Sequence, residues 1–360
     1  MTASMVQEVV GAFRAVARRM GLAGREPEDA IRGRASQSRE AVGPPTKPRL
    51  DLPVLGLAEF RALDLPKRQR LLPWLVEGGL SMVYGPRGIG KTHFGVSLGV
   101  ALVTGQPFLK WEVETPVGVL VVDGEMPAED LRERINSWLP GDPGATLQVL
   151  SHEVVFERIE RDLNLGLPEW QKAIMRHLEE HPEVRLIILD NLSCLLPSVQ
   201  EDKRDDWAQK VLPFLIAFRR RGIAVLLVHH SGKGGDQRGT SAREDALDTV
   251  IRLSELSDHD ATQGAAFRVT FTKARGCYGD DLAEVEARIE TSPDGSLTWS
   301  WKLAEQSNKE RLLRLVADGV GSVKIAAEEL ELTPGTVSKL KAKLQKEGQL
   351  ANGRKLALAA

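Results

Sequence analysis

The sequence predicts an α/β fold whose core is a mainly parallel β-sheet covered by helices, followed by a small, basic, helical module at the C-terminus. Three observations carry that expectation. Short runs at 81–84, 117–122, 186–189 and 223–228 are nearly continuous in apolar residues, as strands covered on both faces are. A glycine-rich phrase, Gly85-Pro86-Arg87-Gly88-Ile89-Gly90-Lys91-Thr92, lies directly between one such run and a helical pattern from Lys91 to Val103. Beyond residue 308 the strand-like runs give way to helical periods rich in lysine.

Composition bounds the function classes. A chain of 360 residues leaves room for a central domain and smaller appendages, and 42% hydrophobic with 27% charged residues excludes disorder throughout. With 48 basic against 50 acidic residues the formal charge is −2, so affinity for nucleic acid has to come from local patches. Cys194 and Cys277 stand far apart in sequence, a pattern that argues against a disulfide scaffold and a zinc site. No apolar stretch approaches the roughly 18 residues a membrane span needs, and the N-terminus lacks an apolar core with a small-residue cleavage site, so no signal peptide is expected. The expectation is a cytoplasmic protein without a membrane partner.

Taken in order, residues 1–32 open with an amphipathic helix. Val6, Val9, Val10, Phe13, Val16, Ala17 and Met20 recur at helical spacing, opposite Arg14, Arg18 and Arg19. Packing on its own domain or on a neighbouring subunit is the expected use, in preference to a membrane surface. Residues 33–53, with Pro44-Pro45 and Pro48, read as a linker. The core is expected over 54–304. Its later segments, Asp248 to Leu253, Phe267 to Thr272, Ala283 to Ile289 and Ser296 to Leu303, alternate and read as antiparallel, partly exposed strands.

The glycine-rich phrase is a P-loop. Its backbone N–H groups can converge on phosphates without Cβ obstruction, and the following helix N-terminus adds partial positive charge. Lys91 is expected on the β/γ oxygens, Thr92 on Mg²⁺, and His93 extends the nucleotide-binding stretch. Asp190 closes the run Arg185 to Asp190. An Asp there is often only a turn-former, but with a P-loop upstream it reads as the carboxylate that holds Mg²⁺ through water. Glu125, in Val122-Asp123-Gly124-Glu125-Met126-Pro127, is expected on a strand neighbouring the P-loop strand, where it can act as base on an attacking water. Asp123 is the competing carboxylate, and Gly124 supplies the turn that favours Glu125. ATP and Mg²⁺ are the implied nucleotide and metal.

These motifs, with Leu226-Leu227-Val228-His229-His230-Ser231-Gly232-Lys233 and Gln237-Arg238-Gly239-Thr240-Ser241-Ala242, resemble the RepA-like hexameric helicases of plasmids and mobile elements, within the wider RecA and DnaB group. The resemblance spans roughly Val54 to Leu303. It implies a RecA-like core, with Glu125 activating water and His230, or alternatively His229, sensing the γ-phosphate. It also implies that Arg238 or the pair Lys273 and Arg275 reaches the nucleotide of the next subunit in a ring, a homo-hexamer. A helicase translocating on single-stranded DNA in replication is the leading expectation. A recombination-associated ATPase and an ATP-switched DNA-binding regulator are the alternatives.

DNA contacts are expected from the loop carrying Lys233 and Arg238, and from residues 308–360. The loop from Pro197 to Trp207 mixes acidic and basic residues and is the weaker candidate. The C-terminal stretch reads as a winged helix, with helices Lys309 to Ala317, Val323 to Leu330 and Pro334 to Lys346 and a wing over Gln349 to Ala357. Thr333 is the expected cap of the last helix and Pro334 its first residue. From Thr333 to Lys355 five lysines and one arginine face Glu347 alone, a net charge of +5. Lys339, Lys341, Lys343 and Arg354 are the expected phosphate contacts.

Overall fold

The computed structural model describes residues 52–139, 141, 147–200, 204–231, 242–256 and 264–358. The predicted N-terminal helix, most of the linker, and the loop with Lys233 and Arg238 lie outside the described residues. By contact the chain divides after Leu65. In the first unit the described part is a short helix, α1 (Leu57–Ala62), whose N-terminal Gly56 N–H donates to the Glu59 carboxylate at 2.8 Å.

The second unit is built on a nine-stranded sheet. In chain order it runs through a small hairpin, β1 (Arg70–Leu72) and β2 (Leu75–Val76), then β3 (Leu80–Gly85), α2 (Lys91–Thr104), β4 (Gly118–Asp123), α3 (Ala128–Trp138) and β5 (Leu147–Ser151). There follow α4 (His152–Ile159), α5 (Pro168–Glu180), β6 (Val184–Asp190), α6 (Leu192–Leu195), α7 (Leu212–Arg220), β7 (Ala224–His230) and α8 (Ala242–Asp245). Then come β8 (Thr249–Ser254), β9 (Ala266–Ala274), β10 (Val285–Thr291) and β11 (Leu297–Leu303).

The strand order is β11-β10-β9-β8-β3-β7-β6-β4-β5. The six strands from β8 to β5 are parallel, and β9, β10 and β11 extend the sheet antiparallel. The continuous apolar runs are explained by the two layers. Val83, Leu186, Ile188, Leu226 and Val228 pack with Phe94, Leu98 and Leu102 of α2. Their immediate neighbours Met82, Ile187, Leu189, Val225 and Leu227 pack with Ile174 of α5 and Phe214 and Leu215 of α7 on the other face. The inner parallel strands β3, β6 and β7 therefore bury both sides, as strands covered by helices on both faces do.

Two expectations are corrected. The segment at 248–253 becomes β8, which is parallel to β3 and antiparallel only to β9. It is mostly buried, because it joins the P-loop strand directly instead of closing an exposed edge. The strand ahead of Glu125, β4, does not neighbour β3. Strands β7 and β6 intervene, so Glu125 reaches the P-loop from across the sheet's end.

After β11 the chain enters α9 (Ala304–Ala317), which begins directly at the strand's end, ahead of the expected Lys309. α10 (Val323–Glu329) and α11 (Pro334–Lys346) follow. The Thr333 hydroxyl accepts the Thr336 N–H at 3.1 Å, and Pro334 occupies the first turn, a cap that stabilises such a helix by about 1 kcal/mol. Leu312, Val316, Ala326, Val337, Leu340, Leu344, Leu350 and Leu356 form this module's own core. The chain then turns back so that Leu350 and Leu358 bridge antiparallel. Buried Glu286 of β10 ties the module to the sheet, accepting from Arg268 at 2.6 Å and from Ser307 of α9 at 2.5 Å.

Candidate active site

All four functional strand ends, those of β3, β4, β6 and β7, lie at the carboxyl edge of the parallel sheet, where α/β folds place their ligand crevices. Gly88 and Gly90 carry the P-loop through φ of +77° and +105°, a region that costs other residues steric strain. A Cβ on Gly90 would also lie 2.5 Å from the Ala265 Cβ. The loop enters α2 with no side-chain cap, so the helix's first N–H groups have no capping side chain.

A cleft of about 570 Å³ opens over this turn, lined among others by Lys91, Thr92, His93, Glu125, Asp190 and His230. Buried Lys91 donates to the carbonyl oxygens of Gly85 at 3.1 Å and Pro86 at 2.6 Å. Burial pulls its ammonium down to about 8, against the opposing pull of Asp190 and Glu125. The Thr92 hydroxyl stands by the Asp190 carboxylate and favours its charged form. Burial pushes Asp190 up to about 6, aided by Asp123 and Glu125 nearby and countered by Thr92 and Lys91.

The residues fit a divalent cation of the Mg²⁺ type. Thr92 and Asp190 offer hard oxygen donors to the same cleft, and the buried carboxylate is one that a cation would relieve. Among the described residues no group of three or more His, Cys, Asp or Glu gathers a metal, so such an ion would complete its shell with phosphate oxygens and water.

The two carboxylates after β4 separate by role. Asp123 is buried and spends one oxygen on the turn, accepting the N–H groups of Met126 at 2.9 Å and Glu125 at 3.3 Å. Burial raises its pKa. Glu125 is half exposed over the cleft. Its Oε2 accepts from Asn191 Nδ2 and lies 3.6 Å from His230 Nε2. Asn191 Nδ2 is also 3.2 Å from His230 Nε2, while Asn191 Oδ1 accepts the Cys194 N–H at 3.1 Å and so caps α6. One amide thus clamps the glutamate and the histidine. Burial, then the charge of Lys91, holds His230 below the usual imidazole range. His229, the alternative sensor, is fully buried beneath it.

Asn191 and Arg134 went unnoticed in the sequence. Asn191 follows the Asp190 motif immediately, which is a usable signal. Arg134 of α3 lines the cleft, and burial lowers its pKa against the pull of Asp190, Asp130 and Asp123. On a helix it reads as one more solvated cation. His93 accepts the Trp138 indole N–H on Nδ1 at 3.1 Å. Burial, then Arg134, pulls its pKa down to about 4.

Lys273 and Arg275 fall elsewhere. They flank Ala274, the last residue of β9, which pairs with Thr249 at the start of β8, so they lie at the sheet end opposite the P-loop. There Lys273 donates to the Glu244 carbonyl and Arg275 to the Asp245 carbonyl at 3.1 Å, both in α8. They cannot serve their own chain's cleft.

In the C-terminal module Lys339 is exposed, as are Arg354 and Lys355. Lys343 pairs with Glu305 at 2.6 Å. Lys341 corrects the expectation of a phosphate contact. It is buried, and its ammonium donates to the carbonyls of Gly353 and Arg354, both at 2.7 Å. It holds the C-terminal turn in place.

A P-loop between a parallel strand and a helix, facing an Asp that ends a second strand, defines a P-loop nucleoside triphosphatase. The chain belongs to the AAA_25 family: that AAA domain matches residues 46–236. No curated protein sequence matches it. Among solved structures it is similar to a KaiC-like protein from the hyperthermophilic archaeon Pyrococcus horikoshii OT3. The two share 16% identity at a TM-score of 0.43, over 65% of this chain and 99% of that one.

Proposed function

We propose that this chain is an ATP-driven DNA helicase of the RepA-like type. It acts as a ring of identical copies, a homo-hexamer, that translocates on single-stranded DNA during replication of a plasmid, phage or mobile element. The observation that carries the reading is the division of the machinery. The P-loop, Glu125, Asn191 and His230 meet in one cleft, while Lys273 and Arg275 lie at the opposite end of the same sheet, away from their own chain's nucleotide site.

In this reading Lys91 and the P-loop N–H groups hold the phosphates, and Arg134 adds positive charge from α3. A cation held by Thr92 and Asp190 would draw charge from the transferring phosphoryl group. Glu125, fixed by Asn191, takes the proton of the attacking water, and His230 reports the loss of the γ-phosphate through the shared amide. Lys273 or Arg275, with Arg238 as a further candidate, completes the neighbour's site. Hydrolysis then depends on assembly. The C-terminal module is a winged helix, and Lys339, Lys343 and Arg354 contact DNA phosphates together with the loop of Lys233.

Strand displacement on forked DNA tests the proposal. The expected result is ATP-dependent unwinding by the wild type and none by Glu125→Gln. An assembled, ATP-hydrolysing protein that separates no strands contradicts the helicase reading. Mixing Arg275→Ala with Lys91→Ala tests the ring: some interfaces in mixed assemblies pair an intact cleft with an intact finger, and recovered turnover is expected.

A further inference from the structure

His93, three residues into α2, faces two ways. On one side its Nδ1 accepts the Trp138 indole N–H at 3.1 Å, the two rings meeting edge-on with centroids 6.1 Å apart. An indole nitrogen only donates, so the imidazole Nδ1 must present a lone pair, and the ring proton sits on Nε2. On the other side His93 lines the phosphate cleft beside Thr92.

Trp138 is itself held from behind. It lies against Trp299 of β11, centroids 5.0 Å apart and planes at 32°. The Trp299 indole N–H donates to Ser97 Oγ at 2.9 Å, back on α2. Both tryptophan N–H groups are therefore committed, and the indole that sets the imidazole's tautomer cannot turn away without breaking the stack.

We propose that His93 binds the nucleotide, donating its Nε2–H to the diphosphate portion, and that Trp138 is the positioning residue that keeps the proton on that nitrogen. This rests on the reading of the cleft as a nucleotide site. A histidine whose other nitrogen is already occupied offers one fixed donor, whereas a free imidazole divides between two tautomers.

The test uses the full chain, with ADP and Mg²⁺ followed by titration calorimetry. Glutamine places its amide nitrogen where Nε2 stands, whereas asparagine reaches only the Nδ1 position. His93→Asn is expected to weaken ADP binding about 10-fold, the worth of a hydrogen bond to a charged group. His93→Gln is expected to stay close to the wild type. Nitrogen NMR of histidine-labelled protein should show Nδ1 unprotonated in the wild type, an Nε2 resonance that moves on adding ADP, and mixed tautomers in Trp138→Phe. An unchanged ADP affinity in His93→Asn, a protonated Nδ1, or an Nε2 resonance indifferent to ADP overturns the inference. Should His93→Asn fail to fold, the spectra of the wild type and Trp138→Phe still decide. Lys91→Ala separates the two levels of the argument. If the wild type binds ADP and Lys91→Ala does not, an indifferent His93 sinks only this inference; if the wild type binds none, the nucleotide site falls with it.

Discussion

Replacing Gly90 by Ala tests the P-loop geometry most sharply, because two independent penalties meet there. The residue sits at φ +105°, and an L-residue in that left-handed region costs about 1–2 kcal/mol. The new Cβ would also lie 2.5 Å from the Ala265 Cβ, which has no flexible side chain to swing aside. Overpacking of that kind adds about 1–3 kcal/mol. A stiffer unfolded chain returns about 0.4–1 kcal/mol, so the net destabilisation is about 1–5 kcal/mol. Gly88→Ala is the matched control: its φ is +77° but nothing lies within 4 Å of the added atom, so only the backbone penalty applies. That leaves about 1 kcal/mol after the same return. Urea unfolding followed by circular dichroism measures all of these. With Ala265→Gly as the background, the overlap is removed and Gly90→Ala should cost no more than Gly88→Ala does. If Gly90→Ala costs no more than Gly88→Ala, or if Ala265→Gly brings no relief, the packing of the loop against the start of β9 is wrong.

Glu125→Gln should lower phosphate release by about 10²- to 10⁴-fold, the usual worth of a general base, with ATP affinity retained; turnover near the wild-type rate contradicts the assignment. Asn191→Ala should slow release as well while leaving ADP binding intact, since it frees both Glu125 and His230, and an unchanged rate removes the clamp from the account. Lys339→Ala should weaken DNA binding and flatten its salt dependence by about one unit of log–log slope, whereas Lys341→Ala should lower the thermal midpoint instead, because its ammonium binds carbonyls. Equal effects of the two lysines on the salt slope would refute that division.

Much of the sheet was legible because its strands bury both faces. Runs such as Leu186 to Leu189 and Leu226 to Val228 admit no other use between helical segments. β5 escaped because Leu147 to Ser151 is an edge strand with Val149 exposed and Gln148 turned to His177 and His181, so its pattern is diluted. Strand order is not written in local pattern, which is why Glu125 was placed on a neighbour of the P-loop strand. The P-loop, Asp190 and Glu125 were readable since their chemistry is tied to short spacings. Asn191, Arg134 and Trp138 act through the third dimension: each meets its partner across α2, β6 or β7. Lys341 misled for a related reason, since a lysine in a basic helix gives no sign in sequence that its ammonium turns inward.

The proposed function makes the cleft one half of a shared, DNA-responsive ATPase site. Its most direct test is the rate of phosphate release per subunit, measured against protein concentration with and without single-stranded DNA. Slow release is expected in dilute protein, with a steep rise as copies assemble and a further rise with single-stranded DNA beyond that given by duplex. A rate per subunit that stays flat with concentration and is indifferent to the strand supplied would contradict it.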